Sequence, residues 1–131
     1  MDKGGFYKTV ADHMDAGFLE NIIDMIRKDR NLLDLVPVLI GDERQRVRIG
    51  AVALAETFLE GNRDDLIALV PSIAAALENE NPSVRADTVY ILSLIGGNLA
   101  ISYLKQKTSL DVNPMVRQAA IEAIGDIEGR N

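Results

Sequence analysis

Three arginines sit in the same local text, and they are the residues to weigh first for chemistry. Arg48, Arg85 and Arg117 each follow a valine and open a run of small and aliphatic residues, with intervals of 37 and 32 residues. A row of guanidinium groups could hold an anionic ligand, because each stays charged and offers a rigid fork of donors. The other reading is structural. An identical residue in every copy of a motif serves what every copy shares, so each arginine bridges to a carboxylate or carbonyl of the neighbouring unit. Asp42, Glu80 and Asp111 are the candidate carboxylates, and the structural role carries more weight.

Other chemistry is sparse. His13 is the single histidine and there is no cysteine, so a thiolate site or cysteine nucleophile is out. A histidine–metal site would need further ligands, and His13 reads as a surface residue. No phosphate-cradling glycine loop, Ser-His-Asp set or Cys-His set is present, and Gly96-Gly97 reads as a helix stop. The expectation is therefore no catalytic residue, no cofactor and no metal. Net charge is −6 with a pI near 4.7, which speaks against a nucleic-acid surface, since that needs clustered Lys and Arg. The start, Met-Asp-Lys-Gly-Gly-Phe, lacks a signal-peptide core. No apolar run approaches the ~20 residues of a membrane span. A cytoplasmic protein away from membranes is the expectation.

The elements that must position the arginines can be read from caps and periodicity. Asn113 to Ile127 carries a start signal in Asn113-Pro114, and a seam of Val116, Ala120, Ala123, Ile124 and Ile127. The same text runs from Asn81-Pro82 through Val84, Thr88, Ile91, Leu92 and Ile95 to Gly96-Gly97. A worn copy runs from Asp42 through Val47, Ala51, Leu54, Ala55 and Phe58 to Gly61, with Asp42 and Gln45 set as a capping box. One helix written three times marks a repeat protein.

Each copy follows a shorter apolar stretch. Leu32, Leu33, Leu35, Val36 and Leu39 make the first, with Asn31 as its cap. Leu66, Leu69, Val70, Ile73 and Leu77 make the second, opened by Asn62 with Asp64 and Asp65 in the first turn. Leu99, Ile101, Tyr103 and Leu104 make the third. Pro37 and Pro71 each follow a Leu-Val pair and predict the same internal bend or break twice. Upstream, Phe6, Val10 and Met14 allow a helix over 6–13. Asp15 is set to cap another, with Phe18, Leu19, Ile22, Ile23 and Ile26 as its stripe and Arg27-Lys28 facing the helix dipole. The divisions are an N-terminal helical cap over 1–30 and hairpins over 31–61, 62–97 and 98–131.

These motifs resemble the HEAT-like repeats of the phycobilisome-lyase type, whose second helix reads roughly Asp/Asn-Pro-x-Val-Arg-x-x-Ala-x-x-Ala-Leu-Gly-x-Ile. Residues 113–127 match nearly every position. The copy at 81–95 has Thr88 and Ser93 where small residues are usual. The copy at 42–58 lacks the proline and carries Glu56 at the glycine position. The resemblance covers about 31–128. It implies an all-α, right-handed superhelix of about three helical hairpins. It settles no activity, because the family holds bilin-lyase subunits, hydroxylases, DNA-repair proteins and binding scaffolds. The hydroxylases use several His-Glu pairs that this chain lacks, and the DNA-repair members need a basic groove.

In that family the second helices line the concave side. The positions that escape the seam are then Ile49, Ala53 and Thr57, next Ala86, Tyr90 and Leu94, and last Gln118, Glu122 and Asp126. They vary from copy to copy, as a face fitted to a partner does, and as a merely solvated face also does. They grade from apolar to acidic with Tyr90 at the centre. The expected function is a non-catalytic scaffold or adaptor that holds a protein or peptide, favouring one with a basic region. Two alternatives remain: an accessory subunit of a chromophore-lyase-type enzyme, or a self-associating structural module. The final helix has no polar cap after it, so a homodimer through that end is a further expectation.

Overall fold

The computed structural model describes residues 3–130. The described residues are helical, without strands. Helices α1 (Lys3–Asp15) and α2 (Leu19–Lys28) lead in. A 3-10 turn, Arg30–Asp34, feeds α3 (Leu35–Ile40), and α4 runs Gln45–Ala68. Then come α5 (Val70–Ala74), a second 3-10 turn (Ala75–Glu78), α6 (Pro82–Ile95), α7 (Asn98–Lys105), α8 (Lys107–Leu110) and α9 (Pro114–Arg130).

The arginine-bearing helices α4, α6 and α9 lie side by side, with α6 packed against both others. The shorter helices α3, α5 and α7 form a second layer and pack on α4, α6 and α9 respectively. The result is a helical-repeat solenoid of two layers. The seam residues meet between the layers. Leu35, Val36, Leu39, Val47, Ala51, Leu54, Leu66, Val70, Ile73, Val84, Ile91, Leu92 and Ile95 are fully covered. No single hairpin could bury its stripe alone, so the core is shared across the joints between units.

Local chemistry sets the boundaries. Asn81 accepts the N–H of Ser83 at 2.8 Å, and Asn113 accepts that of Met115 at 2.8 Å. In both, a proline at the first helical position gives up a donor that would have gone unpaired. Gly61 has φ 91° and breaks α4 between Glu60 and Asn62; Gly96 and Gly97 stop α6 with φ 74° and 90°. These are left-handed conformations that cost glycine little.

Several sequence expectations need correction. The first helix runs through Asp15, so Asp15 ends α1; Gly17 (φ 97°) turns the chain and Phe18 precedes α2 without a side-chain cap. Phe18 and Leu99 leave their stripes and stand about half exposed. Asn31 falls inside the 3-10 turn. The cap is Asp29, whose extended backbone lets its carboxylate accept the Asn31 N–H at 3.1 Å. Of the bend or break expected at Pro37 and Pro71, the helix is broken rather than bent. In each case the α-helix restarts just ahead of the proline, which then sits in the first turn and needs no N–H. The Asp42–Gln45 capping box does not form. Asp42 caps Arg44 instead, at 2.8 Å, and Gln45 is the first helical residue, too early for the reciprocal bond.

α1 docks on α4 where Gly50 has no side chain. A Cβ there would fall within 2.2–2.7 Å of the Met14 side-chain atoms, and Met14 is buried. Two residues past the other arginines, the matching places hold Asp87 and Ala119.

Candidate functional site

Each of the three arginines reaches back to the loop that starts its own helix. Nη1 of Arg48 donates to the carbonyls of Asp42 (3.0 Å) and Glu43 (2.8 Å). Nη1 of Arg85 donates to those of Asn79 (2.9 Å) and Glu80 (3.1 Å). Nη1 of Arg117 donates to that of Asp111 at 2.6 Å. The residue six places before the arginine is thus used every time. Its side chain is used every time as well: Asp42, Asn79 and Asp111 each accept the N–H two residues on, at 2.8, 2.9 and 2.9 Å. This short acceptor therefore shapes the loop and the arginine locks it.

Two of the arginines also reach across a joint. Nε and Nη2 of Arg85 grip the two oxygens of Asp111 at 2.8 and 3.0 Å, and both side chains are buried. Nε of Arg48 meets Asp87 Oδ2 at 2.8 Å. The place equivalent to Asp111 in the unit ahead of Arg48 is Asn79, a neutral residue, so the carboxylate comes from Asp87 on α6 instead. Of the sequence candidates, Asp111 is a carboxylate partner, whereas Asp42 and Glu80 contribute carbonyls. Arg117 makes no ion pair among the described residues.

Burial would raise the Asp111 carboxyl. The Arg85 guanidinium, the Asn113 N–H and Lys107 outweigh that and hold it below the ordinary value. Asp42 is also lowered, first by its bonds from Arg44. Arg44, absent from the sequence candidates, ties α1 to α4 by reaching Asp12 at 2.8 Å while holding Asp42. It lowers Asp12 too. Arg48 and Arg85 are absorbed by these structural bonds, while Arg117 keeps only its bond to the loop, so the three do not form a row of free cations.

The nine variable positions lie on one face of the α4–α6–α9 layer and none of them is buried. Ile49 (58% exposed) and Tyr90 (49%) project most among the apolar ones. Ala53, Thr57, Ala86 and Leu94 are half-buried, and Gln118, Glu122 and Asp126 are exposed. Between α6 and α9 they border a groove lined by Ala86, Tyr90, Glu122 and Asp126, with Val89, Ser93, Ala119 and Ala123 as its floor. Val89 and Ala119 escaped the sequence reading, and Ala123 was read as seam, because they lie toward the joint, where only the helix–helix spacing shows whether a cleft opens. Gln118 extends toward Glu122, donating at 3.3 Å. His13 stands apart: it is exposed, with Nδ1 2.9 Å from the Thr9 carbonyl and its ring beside Phe18. Among the described residues no cluster of metal-ligating side chains occurs, and no helix is long and apolar enough to cross a membrane.

This arrangement, hairpins stacked through one repeated loop lock, defines an α-helical repeat protein. A family model for HEAT repeats matches residues 32–125, and the chain belongs to that family. Neither the curated proteins nor the solved structures contain a significant match.

Proposed function

We propose that the chain is a protein-binding module whose working surface is the groove between α6 and α9, continued onto α4 by Ala53 and Ile49. The observation that carries this reading is the composition of the groove. Small side chains at Ala119 and Ala123 line it, with Ala86 and Tyr90 contributed by α6 and the acidic Glu122 and Asp126 by α9. Such a trough accepts a helix or extended peptide with an apolar side chain against the alanines and a Lys or Arg against the carboxylates. Tyrosine suits the contact because it offers rigid apolar area with a polar tip. HEAT repeats commonly serve protein–protein interaction, which agrees with this use.

The divisions at 1–30, 31–61, 62–97 and 98–131 serve as working units, with α1 and α2 shielding one end of the stack. The chromophore-lyase accessory role rests on resemblance alone, and absorbance of the purified protein tests it.

Peptide selection on the purified chain tests the groove. Selected peptides should combine a basic residue with an apolar one, and should lose binding to Tyr90→Ala and to Glu122→Lys. Both variants should melt with the parent protein. Peptides without basic residues, or indifferent to both changes, would reject the reading.

A further inference from the structure

The edge of α9 that carries Arg117 resembles a joint and is exposed among the described residues. In the unit before it, the corresponding edge is covered, and on α4 the equivalent Val52 is half-buried. Val89, four residues after Arg85, is buried at 2% exposure, whereas Ile121, four residues after Arg117, stands 51% exposed. The loop in front of α9 follows the same pattern. Glu78 and Glu43, seven and five places before their arginines, touch the following unit through Lys107 Nζ (3.0 Å) and Asn81 Nδ2 (3.0 Å). The corresponding residues before Arg117 are Leu110 and Val112, 75% and 88% exposed. Charged residues at a joint have been replaced by bare aliphatic ones.

The residues along this edge point to one occupant. Arg117, Ile121, Ile124 and Glu128 are spaced four, three and four apart, so they form one stripe on the helix. The stripe reads cation, apolar, apolar, anion, with Ile121 exposed and Ile124 half-buried, one side of it packed against the core. Turned end for end, it is its own complement. Gly125 lies beside it with open space around its Cβ position, which permits close approach of a second helix. Glu128 is the only acidic residue at its place, where α4 and α6 carry Leu59 and Gly96.

We infer that a second copy of this chain docks antiparallel along this edge of α9, with Arg117 facing Glu128 of the other copy and Ile121 facing its Ile124. The contact is isologous, so each pairing occurs twice about a two-fold axis near Glu122 and Ala123. One helix and one loop per protomer make a small interface, and association falls in the micromolar range typical of small contacts. The contact leaves the groove residue Tyr90 free, so it stands or falls apart from the peptide-binding reading.

Sedimentation of the full chain over a concentration range tests this. The parent should pass from monomer to dimer by about 100 µM, as a weak interface does. Ile121→Asp should abolish the dimer. Glu128→Arg should weaken it about tenfold by setting like charges face to face, and Arg117→Glu/Glu128→Arg together should restore it. Circular dichroism melts confirm that each variant is folded. A parent that stays monomeric throughout, or a dimer unmoved by Glu128→Arg, would overturn the inference.

Discussion

Arg85 on α6 holds both carboxylate oxygens of Asp111, 26 residues away in the loop ahead of α9, while its remaining amino group ties down the loop ahead of α6. A single side chain thereby joins two loops and two helices. Its partner is buried, so removing the arginine leaves a covered carboxylate without its cation and two loop carbonyls without their donor.

Stability should follow this accounting across the three arginines. Arg85→Ala is expected to cost about 3 kcal/mol, because a buried ion loses its partner. Arg48→Ala should cost about 2 kcal/mol: it loses two carbonyl bonds, but Asp87 is 40% exposed and water can replace the cation. Arg117→Ala should cost under about 1 kcal/mol, having one such bond and more exposure. Urea denaturation gives the order directly.

Acid should loosen the same joints. The folded protein holds Asp111 and Asp42 below the ordinary carboxylate value of 3.8. The unfolded chain therefore takes up protons first as pH falls. The stabilisation is fully present above that value and is lost progressively as pH drops through the lowered folded values. Melting temperature should fall below about pH 4. Asp111→Asn should start lower at neutral pH and show a shallower acid slope.

Gly50→Ala should destabilise the α1–α4 contact by about 1–3 kcal/mol, since the added methyl overlaps the Met14 side chain. Met14 is flexible, which favours the low end. Hydrogen exchange should report the loss in α1 ahead of α6 and α9.

Peptide binding in the α6–α9 groove should weaken with salt, because Glu122 and Asp126 act through exposed charge. The charge-neutral Glu122→Gln variant should show a flatter salt response, measured by fluorescence anisotropy of a labelled lysine-containing peptide.

Much of this was legible in the chain. Asn81-Pro82 and Asn113-Pro114 declared their helices because cap and first-turn proline act locally. The seam showed through its period. Of the nine positions the seam left over, Ala86, Tyr90, Glu122 and Asp126 border the α6–α9 cleft. The misses were decided beyond the local text. Asn31 has the right chemistry for a cap, but the extended backbone that a cap needs fell to Asp29, and Asp15 ended inside α1 while α2 began without a side-chain cap. Asp87 could not be picked as the partner of Arg48 without knowing how far α6 stands from α4. Arg44 works between α1 and α4, elements without matching text.

Gly50, Asp87 and Ala119 occupy the same place on three look-alike helices, and each is cut for a different neighbour. The modules cannot therefore be shuffled like beads. Setting α6 beneath α1 would drive Met14 onto a carboxylate, and setting α4 after itself would leave Arg48 facing glycine. The order of the units is written into their joints, and a rearranged gene would have to rewrite those three residues before its product could stack.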